Sequence, residues 1–372
     1  MEHDNKKYSW IGGIRMKCKY YLCMMLFSFM VLFHQYSLVK ADETESTLTQ
    51  KYFKLYADMT GKWDEKDGFI YRYSEKDNHA VIVAMNMDKK VITIPEKIDG
   101  KTVTEVRLSD VYGRLVEAPA DLPEWPIPKV EVLKIPKTVK KVNADGGYLK
   151  EGYGSGMQSF LMNLKQFDVA SGNKWLKSYK GILYTKNGKK LISVPRKYTA
   201  KTVKVKKGTT KISDAAFSFC TNIKKVILPD TVKVIKQNAF ECCSLNYIRM
   251  PRKLKELGVT AFRNSALKKI TVYGKVELDE TFKYCKKLKT VVLKKGVKEL
   301  GELVFHECPK LRSVTVPKGI KNLGWNIDSI FYYRGLKCNL SKITIKTPKN
   351  SEMYKERKFL KKRYKIKVKV IK

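Results

Sequence analysis

The chain has 372 residues and a formal net charge of +40, from 76 Lys and Arg against 36 Asp and Glu. Such a basic surface concentrates anionic partners through a field that salt screens over about 8 Å, yet charge by itself identifies no ligand. Alternatively, the lysines only fill outward strand positions, where they keep sheet edges from pairing. With four histidines in all, the composition gives little support to histidine-based catalysis.

The first 41 residues are predicted to be a secretory signal peptide. Basic residues at Arg15, Lys17 and Lys19 precede an apolar run over 22–33, and Ala41 ends a polar stretch suited to cleavage. A transmembrane helix needs about 20 apolar residues, so a retained anchor is the weaker interpretation. We therefore expect an exported chain with no membrane span after cleavage.

From residue 203 to 323 the sequence repeats with a period of 20 to 23 residues. Each unit holds a strand with alternating apolar residues, a second apolar pair three residues apart, and a turn where Cys or Ser follows an aromatic residue by three positions. The aromatic recurs at Phe217, Phe240, Phe262, Phe282 and Phe305. One unit cannot bury its own apolar line, so the period predicts stacked coils, parallel strand ladders and one buried column of Phe rings.

The phrases AFSFCTNIKKVILPDTVKVIKQNAFECCSLNYIRMP and VFHECPKLRSVTVPKGIKNLG resemble the BspA-type leucine-rich repeat of bacterial and some protist surface proteins. The resemblance implies a leucine-rich-repeat solenoid, β-rich with short turns or helical segments, together with export, surface display and recognition of protein or glycan. Residues 181–195 resemble the hairpin that interrupts arrays of this family. Its Asn187-Gly188 predicts a type I′ turn, in which both residues have positive φ.

The predicted organisation has four parts. They are a signal peptide over 1–41, an N-terminal linker and capping hairpin over 42–90, a leucine-rich-repeat solenoid with loop insertions over 91–341, and a basic cap over 342–372. The cap ends in KVKVIK, which favours a basic edge strand that closes the solenoid. Lys361, Lys362 and Lys365 are the predicted electrostatic contacts to anionic wall polymers.

Three insertions interrupt the same position of the repeat, at 107–129, 143–160 and 324–339. Equal positions of a solenoid lie on one side, so we expect these loops to emerge together. Their aromatic residues are the predicted ligand-binding set, because such side chains dominate binding hot spots and stack on sugars. The alternative is that they pack back over the core. The set is Tyr112, Trp125, Tyr148, Tyr153, Trp325, Tyr332 and Tyr333.

The cysteines recur with the repeat and lack the short spacings of a zinc site, so no metal and no cofactor is predicted. A ladder of buried thiols is the favoured interpretation, with bridges between Cys220 and Cys243 or between Cys285 and Cys308 left open. Cys242 and Cys338 fall out of phase and are predicted to be exposed.

No catalytic constellation emerges from the sequence. His306 is expected to point outward into solvent, and Glu277, Asp279 and Glu280 are expected to form a solvated edge with no carboxylate on the next coil. No nucleophile elbow or phosphate-binding glycine loop occurs.

The sequence therefore predicts a non-enzymatic, monomeric, secreted or cell-surface binding protein, adhesin-like, that recognises an extracellular protein or glycan. Nucleic acid is not expected as its physiological ligand. The alternative is a structural wall protein that is retained electrostatically on anionic polymers.

Overall fold

The computed structural model describes residues 62–64, 68–73, 78–85, 88–108, 129–143, 161–324, 329–331 and 340–372. The predicted signal peptide and most of each insertion lie outside these residues. Within them the chain forms a solenoid of β-rich coils with few helical residues, which confirms the predicted fold class.

The regular elements are short, as expected for coils that turn every few residues. In chain order they are β1 (Lys62–Asp64), β2 (Phe69–Tyr73), β3 (Ala80–Met85), β4 (Val91–Thr93), β5 (Lys97–Ile98), β6 (Lys101–Val106), β7 (Val132–Ile135), β8 (Lys141–Val142), β9 (Gln166–Val169), β10 (Leu176–Tyr179), β11 (Ile182–Thr185), β12 (Lys190–Ser193), β13 (Thr202–Lys204), β14 (Lys211–Ile212), β15 (Lys225–Ile227), β16 (Val234–Ile235), β17 (Tyr247–Arg249), β18 (Glu256–Leu257), β19 (Lys269–Val272), β20 (Glu277–Leu278), β21 (Thr290–Leu293), β22 (Glu299–Leu300), β23 (Ser313–Thr315), β24 (Asn322–Leu323), β25 (Thr344–Thr347), α1 (Glu352–Lys355), α2 (Arg357–Tyr364) and β26 (Lys367–Val370).

Two sets of parallel strands run along the solenoid. The first ladder contains the longer strands, in the pairing orders β4-β7-β9, β13-β15-β17 and β19-β21-β23-β25-β26. The second ladder contains the return strands, paired as β6-β8, β12-β14-β16-β18 and β20-β22-β24. Along the first ladder apolar residues alternate inward, as Val226, Ile248 and Val291 do, because successive side chains of a strand point to opposite faces.

A third set of hydrogen bonds joins the coils at the corner that carries the aromatic residue. The N–H groups of Ala215, Phe217 and Phe219 donate to Gln237, Ala239 and Glu241 of the next coil at 2.8 to 2.9 Å. The same three bonds recur in the following coils. They require positive φ two residues before and two residues after each Phe, at Ala215, Phe219, Asn238, Cys242, Thr260, Asn264, Glu280, Tyr284, Leu303 and Glu307.

The left-handed region costs a residue with a Cβ about 1 to 2 kcal/mol, so these corners are strained. Thr260 is the plainest case, because a β-branched residue at positive φ is a conformational outlier. The bonds to the neighbouring coil hold each corner in place, since a buried N–H without a partner would cost a similar free energy.

The five Phe rings form one buried column, as the period predicted. Consecutive ring centroids lie 4.8, 5.1, 5.7 and 5.9 Å apart, and each ring is at most 2% exposed. Phe331 extends the column, with its centroid 5.7 Å from that of Phe305. The third insertion therefore delays the aromatic corner and does not replace it.

The predicted hairpin over 181–195 is present as β11 and β12, but its turn was wrongly predicted. Gly188 has a φ of 70°, whereas Asn187 is not among the residues with positive φ, so the turn is not type I′. Asn187 instead accepts hydrogen bonds from Thr185 and from the N–H of Lys189. These side-chain bonds hold a longer loop, and the register shifts between Leu183 and Tyr184.

Each end of the solenoid is closed differently. At the N-terminal end β2 and β3 pair antiparallel, and β3 then pairs in parallel with β6. At the C-terminal end β26 pairs in parallel with β25 as the edge strand, which confirms the interpretation of KVKVIK. The helices α1 and α2 between these strands were not predicted; Ser351 caps the first by accepting from the N–H of Tyr354.

We predict that Phe240→Ala lowers the free energy of unfolding by about 3 to 5 kcal/mol, because it removes a fully buried ring between two stacked neighbours. Urea unfolding followed by circular dichroism measures the loss. The matched control is Tyr247→Ala, whose ring is 50% exposed and whose removal should change stability by less than about 0.5 kcal/mol. A loss below about 1 kcal/mol for Phe240→Ala would contradict the column.

Candidate functional site

The predicted aromatic set lies outside the described residues. This set comprises Tyr112, Trp125, Tyr148, Tyr153, Trp325, Tyr332 and Tyr333. What the structure does show is where the insertions leave the coil. Val106, Val142 and Leu323 each end a second-ladder strand, and Val106 pairs directly with Val142.

Charge is distributed unequally between the two ladders of the repeat. The segments that contain the first-ladder strands and their turns hold 20 Lys and Arg and one carboxylate. These segments are 201–208, 221–230, 244–253, 266–275, 286–296 and 309–319. The segments that contain the return strands and aromatic corners hold seven Lys and Arg and nine carboxylates. These segments are 209–220, 231–243, 254–265, 276–285 and 297–308. The first ladder thus carries all the excess positive charge of these coils, because the return strands and corners hold two more carboxylates than Lys and Arg.

Four of the nine carboxylates of the second ladder and its corners lie within 4 Å of a Lys or Arg side chain, among them Glu277 at 3.6 Å from Lys298, and the seven Lys and Arg of these segments offset most of the negative charge. Lys236 lies 2.6 Å from Glu256, Arg263 lies 3.3 Å from Glu241, and Lys283 lies 2.6 Å from Glu280. Neutralised in this way, that side exerts little long-range attraction on an anion.

We define the first-ladder face as the outward side chains of β13, β15, β17, β19, β21, β23, β25 and β26. Lys346 and Lys369 are direct partners across β25 and β26, and both side chains are exposed. Like charges directly opposite each other on a sheet destabilise it. An anion laid across the strands would relieve this repulsion, since it interacts favourably with both ammonium groups.

Lysines also crowd together around the hairpin of β10 and β11, outside the first-ladder face. Partial desolvation lowers the pKa of Lys177, and the nearby ammonium groups of Lys206 and Lys186 lower it further. A bound anion would act in the opposite direction and raise the pKa of Lys177.

Tyr247 interrupts the row of cations with a half-exposed ring. The Lys225 ammonium lies 5.4 Å from the ring centroid, which is a cation–π contact. Arg249 on the same strand pairs with Asp230 at 2.9 Å and donates to the Leu228 carbonyl. Asp230, the one carboxylate of the first-ladder segments, is therefore already neutralised.

The predicted electrostatic residues are exposed. Lys361 and Lys362 lie in the last turn of α2, and Lys365 caps that helix with a φ of 59°. One residue separates Lys365 from β26, the edge strand of the first ladder.

The phased cysteines form the predicted ladder of buried free thiols, at Cys220, Cys243, Cys285 and Cys308. The sulfurs of Cys220, Cys285 and Cys308 donate to backbone carbonyls of the preceding coil, as when Cys285 donates to the Phe262 carbonyl at 3.0 Å. Cys242 is half-buried, not exposed as expected, because its corner folds against Asn264. Cys338 lies outside the described residues.

His306 was wrongly predicted to be solvated. It is 3% exposed and meets the Tyr284 ring edge-on, with centroids 5.5 Å apart. The N–H of Tyr284 also donates to the His306 carbonyl at 2.8 Å, and this hydrogen bond between neighbouring coils brings the two rings together. Burial lowers the pKa of His306, which favours the neutral ring.

The acidic trio also differs from expectation, because the next coil does supply carboxylates. Glu277 pairs in register with Glu299, and the Asp279 carboxylate accepts from the N–H of Glu302 at 3.1 Å. Partial burial raises the pKa of Asp279. Across the described ranges, no group of three or more His, Cys, Asp or Glu is arranged to hold a metal ion.

Family comparison agrees with this architecture. Residues 196–281 and 278–368 match the BspA type leucine rich repeat region, in six copies. This part of the chain is a BspA-type leucine-rich repeat. The BspA-type coils therefore include the Phe column, both ladders from β13 onward and the C-terminal cap.

Solved structures provide the second comparison. The pneumococcal vaccine antigen PcpA is 15% identical with a TM-score of 0.50, over 83% of this chain and 98% of that one. A leucine-rich repeat protein from Eubacterium ventriosum is 27% identical with a TM-score of 0.47, over 52% of this chain; the match spans half the length of that protein. A leucine rich cell surface protein from Faecalibacterium prausnitzii is 16% identical, over 83% of this chain and 94% of that one, with a TM-score of 0.34.

At 15% identity the similarity to PcpA concerns the fold alone. No curated protein matches the sequence. In the described part of the chain, no helix has the length and apolar character needed to cross a bilayer.

The sequence interpretation missed the first-ladder face as a unit. It treated the lysines as a uniform surface charge, although the signal was present in their phase. Counting charges separately for each segment of the repeat separates the basic from the neutral side, because equal positions stack on one face.

We predict that Cys220, Cys243, Cys285 and Cys308 resist a thiol reagent in the native protein at pH 8 and react once it is denatured without reductant. Burial raises the pKa of Cys220 to about 12 and that of Cys285 to about 11, so almost no thiolate forms. A colorimetric thiol titration before and after adding guanidinium chloride measures this. Finding no additional thiols after denaturation would mean that these cysteines are disulfide-bonded.

Proposed function

We propose that this chain is a secreted or cell-surface binding protein, adhesin-like, that recognises an extracellular protein or glycan. The observation that carries the proposal is the first-ladder face, a surface with one sign of charge built on rigid parallel strands. The anionic groups of the partner bind across its strands, opposite lysines such as Lys204, Lys269 and Lys346.

Several features support binding over simple solubility. Solubility requires net charge but no separation of cations from carboxylates within each coil. Tyr247 adds an exposed aromatic ring beside the Lys225 ammonium at the centre of the face, and tyrosine is enriched in binding hot spots.

The second candidate is a structural wall-associated protein that is retained electrostatically on anionic polymers. The like-charged pair of Lys346 and Lys369 favours it, because this contact requires no shape complementarity. The two functions differ in salt response, since salt screens exposed charges while a packed interface persists.

We predict that Lys204→Gln, Lys269→Gln and Lys346→Gln together weaken binding to a phosphate-rich polyanion at least tenfold at low salt. The matched control is Lys233→Gln, Lys255→Gln and Lys321→Gln, which removes the same charge from exposed positions immediately before the return strands β16, β18 and β24. Binding to immobilised poly(glycerol phosphate), measured by biolayer interferometry at 50 and 300 mM salt, compares the two variants. Equal losses would show that net charge alone matters and that the face has no special role.

We predict separable contributions from the tail and the insertions. Neutralising Lys361, Lys362 and Lys365 should lower retention on anionic surfaces mainly at low salt, because these charges are exposed. Replacing Trp125, Trp325 and Tyr332 with Ala should weaken a specific partner at every salt concentration, by about 2 kcal/mol or more if one is a hot spot.

Affinity capture from host and bacterial surface extracts at two salt concentrations provides the partners for this measurement. If the tail variant loses every partner while the aromatic variant binds like the parent, the wall-retention function replaces the binding function.

A further inference from the structure

An open cleft of about 870 Å³ lies in the N-terminal half of the described solenoid, outside the first-ladder face. One wall comes from β6, with Thr102 and Thr104. Another comes from the turn between β7 and β8, with Thr138 and Lys140. The third is Trp175, in the turn before β10.

Asn173 fixes two of these walls against each other. Its side chain is fully buried, and its amide nitrogen donates to the carbonyls of Pro136 and Val139 at 2.8 Å. Its amide oxygen accepts from the N–H groups of Trp175 and Leu176 at 2.9 and 2.7 Å. The turn that carries Thr138 and the turn that carries Trp175 are thus held together by one side chain.

Trp175 presents its ring to solvent in this cleft. It is 40% exposed, although tryptophan is highly buried on average. The Lys140 ammonium lies 5.4 Å from the ring, and no ion pair of Lys140 is found among the described residues. An exposed aromatic surface beside an available cation therefore faces the cleft.

The polar groups around the ring are not all satisfied. The hydroxyl oxygen of Thr138 is buried and has no hydrogen-bond partner in the described structure, which is uncommon for a buried polar atom. The Glu105 carboxylate lies in the same cleft, paired with Lys141 at 3.3 Å and with Arg107 at 3.0 Å. Apart from Trp175 the residues that line the cleft are polar or charged, so the cleft suits a ligand rich in hydroxyl groups better than an apolar one.

We propose that this cleft binds a sugar unit of an acidic glycan, stacked on Trp175, with its acidic group at Lys140. The inference rests on the proposed function and names a ligand class for it. The C–H face of a sugar ring is apolar and carries slight positive charge, so it pairs with the negative face of the indole. Sugar hydroxyls can donate to the Glu105 carboxylate, which lies in the same cleft.

The charges decide between acidic and neutral sugars, and between sugars and nucleic acid. Lys137 pairs with Glu96 and Lys141 with Glu105, which leaves the Lys140 ammonium for a ligand carboxylate. A nucleobase could also stack on Trp175, but the Glu105 carboxylate accepts hydrogen bonds, and a sugar hydroxyl can donate one whereas a phosphodiester cannot.

Isothermal titration of the full-length protein with hexasaccharides of hyaluronan and of polygalacturonic acid tests the proposal, with maltohexaose and hexathymidylate as comparisons. The parent should bind at least one acidic hexasaccharide more tightly than the other two ligands. Trp175→Ala should weaken that binding about tenfold or more, and Trp175→Tyr should retain most of it. Lys140→Gln should bring acidic and neutral sugars to similar affinity. Tyr179→Ala is the matched control, because Tyr179 is 39% exposed and outside the cleft.

Each contrary result overturns a defined part of the proposal. If neither acidic hexasaccharide binds more tightly than maltohexaose, or if Trp175→Ala binds like the parent, the cleft is not an acidic-glycan site. If hexathymidylate binds most tightly and depends on Trp175, the ligand is a nucleic acid. The variant of Lys204, Lys269 and Lys346 should bind the hexasaccharide as tightly as the parent does. If that variant and its control bind the polyanion equally well, the first-ladder face is contradicted while the cleft remains supported. If Trp175→Ala does not weaken hexasaccharide binding, the cleft is contradicted while the first-ladder face remains supported.

Discussion

The hydrogen bonds at the aromatic corners are the constraint on which the rest of the solenoid depends. Each corner places N–H groups on both sides of its Phe against carbonyls of the next coil, and this geometry forces residues such as Phe219 and Thr260 into the left-handed region. A single coil would retain that strain without its compensating bonds. Stacking therefore stabilises the corner, the Phe column and both strand ladders together, and the array gains stability only as coils are added.

The same hydrogen bonds explain why the periodic placement of charged residues in the sequence produces charged surfaces in the folded protein. Because every coil keeps its phase, lysines that occupy equal positions of the repeat become neighbours in space, as Lys346 and Lys369 do across β25 and β26. Carboxylates that share the phase of the return strands gather on the other ladder and pair there with Lys236 and Lys298. The unequal distribution of charge within each repeat thus produces a basic face beside a nearly neutral one. A basic face of this kind suits recognition of an extended anion.

The second candidate site occurs where the repeat is least regular. The antiparallel hairpin of β10, β11 and β12 interrupts the first ladder between β9 and β13, and the N–H of Phe167 donates to Gly181 of that hairpin. Trp175 stands at the entrance to this interruption, where no neighbouring coil covers its ring completely. Irregular segments on a rigid scaffold are common locations for binding residues, because the scaffold fixes them while the loop remains free to vary.

The sequence by itself determined the features that follow from period and alternation. The Phe column, the parallel ladders, the buried cysteines and the edge strand of KVKVIK each depend on residues within one or two coils, so local patterning is sufficient. Tertiary structure decided the features whose partners are distant in sequence. His306 is buried because a corner bends over it, and Trp175 faces a cleft because Asn173 binds carbonyls 34 and 37 residues earlier. These contacts form only after the coils have stacked, and the spacing of residues along the chain does not encode them.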